Sequence, residues 1–396
     1  MRQVLRAGFL ITFLAYAITN IVADNKIVCY YGSWSTYRPG IGQFNPTDID
    51  PKLCTHIVYT FVGIYTDGRI YILDSWNDLP NGKDGFGEFT RLRQLNPNVT
   101  ALVGMGGWNE GSYKYSQVAG NATVRAKFVK NMVTFLRMYN FDGLDLDWSF
   151  PNQRGGVVAD RENYISLLKE LREEFNKSGF NLSVTVSAPE YSASQSYIIP
   201  ELVKYVDYIS LMTYDLHGTW ENAALLHSGL YPSGKDTNIR LDTNVDWCVK
   251  YWLTQGAPAD KIILGIPGHG RSFTLSNSTN NQPGAPILGV GIAGPYTRES
   301  GLFSYSEILE FIKSGWTVER DSKQRVPYAY KGNQWVGYDD VTSVEEKVNY
   351  AKSKGLAGVM LWGIENDDFQ GLYGEQYPLL NTINKYNLEL HCDINV

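Results

Sequence analysis

Charge, cysteine and histidine are all scarce in this 396-residue chain, and each scarcity excludes something. Only 19% of the residues are Asp, Glu, Lys or Arg while 43% are hydrophobic. Intrinsic disorder, which requires high charge and low hydrophobicity, is therefore excluded. The net charge is −6, and −8 without the leading segment that carries Arg2 and Arg6. A chain of that sign does not attract phosphate backbones, so no nucleic-acid partner is expected. The four cysteines and five histidines contain no CxxC and no His/Cys cluster at metal-ligand spacing, so neither a metal nor a cofactor is expected. His217 and His227, ten residues apart, read as a site or surface residue and a loop residue rather than as ligands. Past residue 23 no segment approaches the roughly 20 consecutive apolar residues of a membrane helix, which predicts no membrane span.

What is present begins with a leader. Arg2 and Arg6 precede an apolar run from Ala7 to Ile18, and Ile21-Val22-Ala23 ends on a small residue, the layout of a secretory signal peptide over residues 1–23. A secreted, extracellular protein is expected, folded from residues 24–396. Five N-x-S/T sequons, at Asn98, Asn121, Asn176, Asn181 and Asn277, agree with a glycoprotein. In an oxidising compartment four cysteines make one or two bridges. Cys29 and Cys54 each stand at an apolar β-like run, and adjacent parallel strands would bring them together. Cys248 and Cys392 are the other candidate pair, one in a helical stretch and one in the tail.

Eight short apolar runs recur: Ile27–Tyr31, Ile57–Val62, Ala101–Met105, Leu144–Trp148, Leu182–Ser187, Tyr208–Met212, Ile262–Ile266 and Ala357–Trp362. Amphipathic helical patterns such as Val124–Tyr139 and Arg161–Phe175 lie between them. That alternation predicts an α/β fold, a (β/α)₈ TIM barrel. The last interval is too long for one helix, and strand-like runs rich in Gly, Pro and Tyr predict a small α+β insertion over about 273–341. Barrel chemistry sits at the carboxyl ends of the strands. Those ends read Trp34, Phe61, Trp108, Asp147 with Ser149, Ala188 with Glu190, Tyr214 with Asp215, Arg271, and Trp362. Aromatics repeated at a solvent-facing mouth have little to pack on except ligand, and ring faces stack on sugars.

The fourth run, Phe141-Asp142-Gly143-Leu144-Asp145-Leu146-Asp147-Trp148-Ser149, is the most informative. Side chains alternate along a strand, so Asp145, Asp147 and Ser149 point into the barrel while Leu144, Leu146 and Trp148 face the helices. Two carboxylates stacked in a closed interior cannot both ionise cheaply, which predicts one shared proton and split pKa values.

On these residues the sequence resembles the family 18 glycoside hydrolases, the chitinases and chitinase-like proteins of animals, from about Lys26 to Tyr386. The family's D-G-x-D-x-D-x-E is matched at Asp142, Gly143, Asp145 and Asp147, but Ser149 stands where the family has its catalytic Glu. Further matches are Tyr30, Trp34 and Phe61, then Gly106-Gly107-Trp108-Asn109, Met212-Thr213-Tyr214-Asp215, Trp220, Gly270-Arg271-Ser272-Phe273 and Trp362. Departures are Phe150 and His269 in place of tyrosines, and Gly104 in place of a serine. The resemblance implies a cleft for N-acetylglucosamine oligomers or chitin, lined by Tyr30, Trp34, Phe61, Trp108, Asn109, Met212, Tyr214, Asp215, Trp220, His269, Arg271 and Trp362. It also implies that the missing Glu would have protonated the glycosidic oxygen while the substrate's own N-acetyl group attacked the anomeric carbon.

A serine hydroxyl is far too weak an acid for that role, and a positioned general acid contributes on the order of 10²–10⁴ in rate. The expectation is therefore a secreted monomeric lectin, not an enzyme, with no catalytic residue and an acid position occupied by Ser149. Two alternatives stand beside it. One is a growth-factor-like or immune signalling protein acting through a cell-surface receptor. The other is a weakly active chitinase using another carboxylate, with Glu190, Glu221 and Asp215 as the candidates near strand ends. Gly289-Val290-Gly291-Ile292-Ala293-Gly294 matches GxGxxG, yet no strand–turn–helix unit surrounds it, and it reads as a loop.

Overall fold

Eight parallel strands form the frame of the molecule: β1 Lys26–Gly32, β2 His56–Ile64, β3 Thr100–Gly106, β4 Gly143–Asp147, β5 Asn181–Ser187, β6 Tyr208–Met212, β7 Ile262–Pro267 and β8 Gly358–Trp362. The computed structural model describes residues 25–234 and 243–388. Each strand pairs with its neighbour in sequence, and β8 returns to β1 through Tyr30↔Trp362, so the sheet closes on itself. Every strand coincides within a few residues with one of the eight apolar runs, and the architecture is the (β/α)₈ barrel. The signal-peptide segment and Cys392 lie outside the described residues.

Alternation along the strands builds two cores. Val28, Tyr30, Val58, Leu102, Tyr208, Ile263 and Met360 turn inward and fill the barrel. Ile27, Cys29, Ile57, Leu144, Leu146 and Trp148 turn outward against the surrounding helices. Among these helices are α1 Ala122–Met138, α2 Asp160–Ser178, α3 Val245–Thr254, α4 Val341–Ser353 and α5 Pro378–Leu388. Local sequence sets their ends: the Asn121 side chain accepts hydrogen bonds from the backbone N–H groups of Thr123 and Val124 to open α1, and Gly179, at φ 72°, closes α2. No helix among the described residues is long and apolar enough to cross a membrane.

A second, antiparallel sheet lies between β7 and β8, from His269–Leu275 through Gln334–Gly337, around Phe273, Tyr328 and Trp335. The GxGxxG stretch begins in its edge strand Ile287–Val290 and runs on into loop, with no helix opening directly from it. A short hairpin strand, Ile70–Ile72, pairs with β2 and was not foreseen. Cys29 and Cys54 form a disulfide, with Cα atoms 6.0 Å apart, because β1 and β2 are neighbours. Cys248 is buried on α3. Asn98, Asn121, Asn176 and Asn277 are exposed, whereas Asn181 is partly buried at the start of β5 and the Ser183 of its sequon points into the barrel.

Candidate active site

The carboxyl ends of the strands meet in a mouth whose floor is set by β4. Asp145, Asp147 and Ser149 face inward and are 0%, 5% and 6% exposed, while Leu144, Leu146 and Trp148 join the outer core. Asp145 accepts hydrogen bonds from Ser183 (2.6 Å), Thr185 (2.8 Å) and Tyr30 (3.2 Å), hydroxyls that β5 and β1 carry to it. Burial raises its pKa, and those three donors oppose the rise. Among the described residues Asp147 has one donor, the Ser149 hydroxyl. Burial, with a smaller push from the charge of Asp145, raises its pKa from 3.8 to about 7 despite that bond. The two carboxyls are electrostatically coupled, the charge of Asp145 adding to the rise at Asp147, and they differ in support: three hydroxyls from other strands hold Asp145. Gly104 sits opposite Asp145 in the β3–β4 register and offers it no side chain.

Aromatic side chains wall the mouth. Trp362, at the end of β8, touches Tyr30 (ring centroids 5.4 Å), Phe61 (5.8 Å), Trp34 (6.5 Å) and, nearly parallel, Tyr214 (6.5 Å). Met212 packs at the same end of the barrel interior. Trp108 and Trp220, 65% and 64% exposed, stand on the loops after β3 and β6, and Asn109 is exposed beside Trp108. Apolar ring faces above buried carboxyls suit pyranose rings, whose C–H faces stack and whose hydroxyls accept and donate.

A polar cluster borders the aromatic wall. Asp215, in the left-handed region at φ 54°, receives Arg271 on both oxygens (Nε 2.7 Å, Nη2 2.5 Å) and His269 Nε2 at 2.9 Å. Burial alone would raise its pKa, but Arg271 and His269 outweigh that and hold it well below the usual carboxylate range. His227 accepts the Asp215 backbone N–H on Nδ1, and burial pushes its pKa down to about 4, so it is neutral at physiological pH. Asp215, His227 and His269 each bring a ligand-type atom within 4.8 Å of the others. Sequence reading missed this group because its members are 12 and 42 residues apart; the Arg271 guanidinium already supplies the positive charge beside its carboxylate. His217 is elsewhere, bonded to Glu221 Oε2 at 2.8 Å and to the Thr243 carbonyl.

The three carboxylates considered as replacement acids are all engaged: Asp215 as above, Glu221 by His217 and the Gly218 N–H, and Glu190 by the Trp247 indole N–H at 3.0 Å. Asp142 is also away from the mouth, tying Arg93 and the Ala101 N–H at the amino end of β4. Among the carboxyls whose pKa burial raises at the mouth, which include Asp145 and Glu365, Asp147 is the one bonded to Ser149. Beyond Trp34 and Trp362 the mouth continues into a cavity of about 260 Å³ bordered by Arg38, His269, Arg298 and Glu365. Glu365 is buried there and accepts the Gly32 N–H. Its place three residues after Trp362 was the available signal.

Residues 26–367 match the family model described as glycosyl hydrolases family 18. The chain is 41% identical over 381 residues to an endochitinase of Manduca sexta, covering 93% of this chain and 69% of that protein. The crystal structure of Ostrinia furnacalis Group IV chitinase in complex with allosamidin superposes with a TM-score of 0.90 at 46% identity, covering 92% of this chain and 99% of that one. Human YKL-39, described as a pseudo-chitinase with retained chitooligosaccharide binding properties, superposes at 0.84 with 36% identity, covering 91% and 99%. The expectation of a non-enzyme is thereby corrected. Relatives at 41% and 46% identity are named chitinases, and the site keeps a protonatable carboxyl, Asp147, hydrogen-bonded to the serine that seemed to remove the acid. With the closed barrel, the D-G-x-D-x-D strand and the family match over 26–367, the chain belongs to the glycosyl hydrolases of family 18.

Proposed function

We propose that this protein binds N-acetylglucosamine oligomers in the aromatic mouth and hydrolyses them slowly, with Asp147 as the proton source and Ser149 as its relay. The observation that carries the reading is the Asp147–Ser149 hydrogen bond, made by a carboxyl group whose pKa burial lifts to about 7. In the protonated state the carboxyl O–H donates to Ser149 Oγ, and the serine O–H is turned toward the glycosidic oxygen. As that C–O bond breaks, the serine proton passes to the leaving oxygen and the Asp147 proton passes to the serine. The carbonyl oxygen of the substrate's N-acetyl group closes on the anomeric carbon. Water then opens the ring so formed, and its proton returns to Asp147 by the same path. Two transfers through a weakly acidic hydroxyl are slower than one from a positioned carboxylic acid, and keep only part of the ~10²–10⁴ that such an acid contributes.

The leader agrees with release of the protein outside the cell, where such oligomers would be met. Calorimetric titration with chitohexaose is expected to show saturable binding, and chromatography of the same mixture is expected to show slow accumulation of shorter oligomers. Absence of saturation overturns the whole reading. Saturation without product overturns the hydrolytic half.

A further inference from the structure

The segment that follows Ser149 bears on how the mouth grips a glycan. Phe150-Pro151-Asn152-Gln153-Arg154-Gly155-Gly156 leaves β4 in tight turns, with Asn152 at φ 67°, Arg154 at φ 51° and Gly155 at φ 88°. Left-handed conformations are uncommon for residues with a Cβ, and they persist where surrounding contacts over-determine them. Here those contacts run to the loop that carries Trp108. The Ser112 N–H donates to the Arg154 carbonyl at 3.1 Å, and the Ser112 hydroxyl donates to the Phe150 carbonyl at 2.7 Å. The Trp148 indole N–H in turn holds that hydroxyl at 3.0 Å. The two loops are stitched together.

The stitch places the Arg154 side chain on Trp108. Its guanidinium carbon lies 3.6 Å from the centre of the Trp108 rings, and its Nη1–H donates to the Trp108 carbonyl. Phe150 stands perpendicular to the same indole, with centroids 5.8 Å apart and planes at 87°. Among the described residues no carboxylate pairs with Arg154, so its charge is spent on the indole rather than on an ion pair. Trp108 nevertheless remains 65% exposed. Arg154 lies over the indole and Phe150 stands perpendicular to it, yet most of the ring surface stays exposed, which leaves a braced ring with area to receive something flat.

We infer that Arg154 is a positioning residue for sugar binding: it holds the Trp108 indole so that its exposed surface stacks on a pyranose ring of a neutral oligosaccharide extending to that side of the mouth. The inference rests on the proposed glycan-binding function and adds to it the residue that fixes one stacking platform. A partly exposed cation–π contact corresponds to about a two- to fivefold effect on binding.

The test is a double-mutant cycle of Arg154→Ala and Trp108→Ala, read by calorimetry with chito-oligosaccharides of two to six sugars. Arg154→Ala is expected to weaken the longer oligomers two- to fivefold and leave the shortest unchanged. In the Trp108→Ala background it is expected to have no further effect, a coupling that a merely structural role would not produce. Arg154→Lys, which keeps the charge but loses the planar face, is expected to recover only part of the loss. Equal losses at every length, additive losses in the two backgrounds, or no loss at all would overturn the inference. So would a gain in affinity, because the guanidinium would then be covering the glycan's own face. Wild-type protein that binds no oligomer of any length would instead overturn the proposed function, and this inference with it.

Discussion

Asp147→Asn removes a proton that the folded chain keeps and the unfolded chain gives up, and the consequence for stability has a definite sign. Between pH 3.8 and about 7 the folded state holds the Asp147 proton while an exposed aspartate has already lost it. A group whose folded pKa is raised contributes its stabilisation in full below the unfolded pKa, and that contribution is lost as pH rises through the folded pKa. At about 1.4 kcal/mol per pH unit, the wild-type chain loses ~4 kcal/mol from this one site between pH 4 and 7, and little more above. Asparagine has nearly the same shape and no charge to bury. The difference in unfolding free energy between Asp147→Asn and wild type should therefore rise in favour of the variant by up to ~4 kcal/mol from pH 4 to 7 and then level off. Denaturant unfolding of both proteins at half-unit pH intervals measures it, and taking the difference cancels other raised carboxyls such as Asp367 and Asp78. Parallel stability curves would show that Asp147 titrates normally, and the proposed proton source would fall with them.

Ser149→Glu restores a direct carboxylic acid at the mouth and should raise oligomer hydrolysis by at least about tenfold and at most about 10⁴, read as product formed per enzyme under identical conditions. Asp215→Asn takes away the charged acceptor of Arg271 and His269; it should weaken chito-oligosaccharide binding and lower the thermal midpoint together, since the guanidinium and the buried imidazole lose that acceptor. Replacing Cys29 and Cys54 with alanine opens a loop of 25 residues and should cost roughly 3 kcal/mol of unfolding free energy, measured by denaturant titration, without changing the mouth.

The barrel was legible because its signal is local. Each strand is a short run buried on both faces, and eight such runs separated by helix-length intervals leave few other ways to close a sheet. The Cys29–Cys54 bridge followed from the same reasoning, since consecutive strands of a barrel are neighbours. Period-two alternation likewise placed Asp145, Asp147 and Ser149 inward and Trp148 outward. What stayed hidden depends on residues that only the closed sheet brings together. The hydroxyls of Ser183, Thr185 and Tyr30 reach Asp145 from two other strands, a support that the β4 run by itself does not reveal. The Asp215–His227–His269 group requires a left-handed turn at Asp215 and a strand of the inserted sheet. Arg154 carried no signal in the sequence, and only the stitching through Ser112 turns it onto Trp108. The same limit explains the non-enzyme expectation: Ser149 taken as a single letter abolishes the acid, while its hydrogen bond to a carboxyl titrating near 7 keeps a proton at that place.

The most direct measurement is the pH dependence of kcat/KM for release of product from a chito-oligosaccharide, for wild type and Asp147→Asn, with oligomer affinity recorded alongside. The account predicts slow turnover by wild type that falls about tenfold per pH unit above pH 7, and its disappearance in Asp147→Asn with affinity retained. Turnover no faster than the protein-free control, or turnover that survives in Asp147→Asn with an unchanged pH profile, would contradict it.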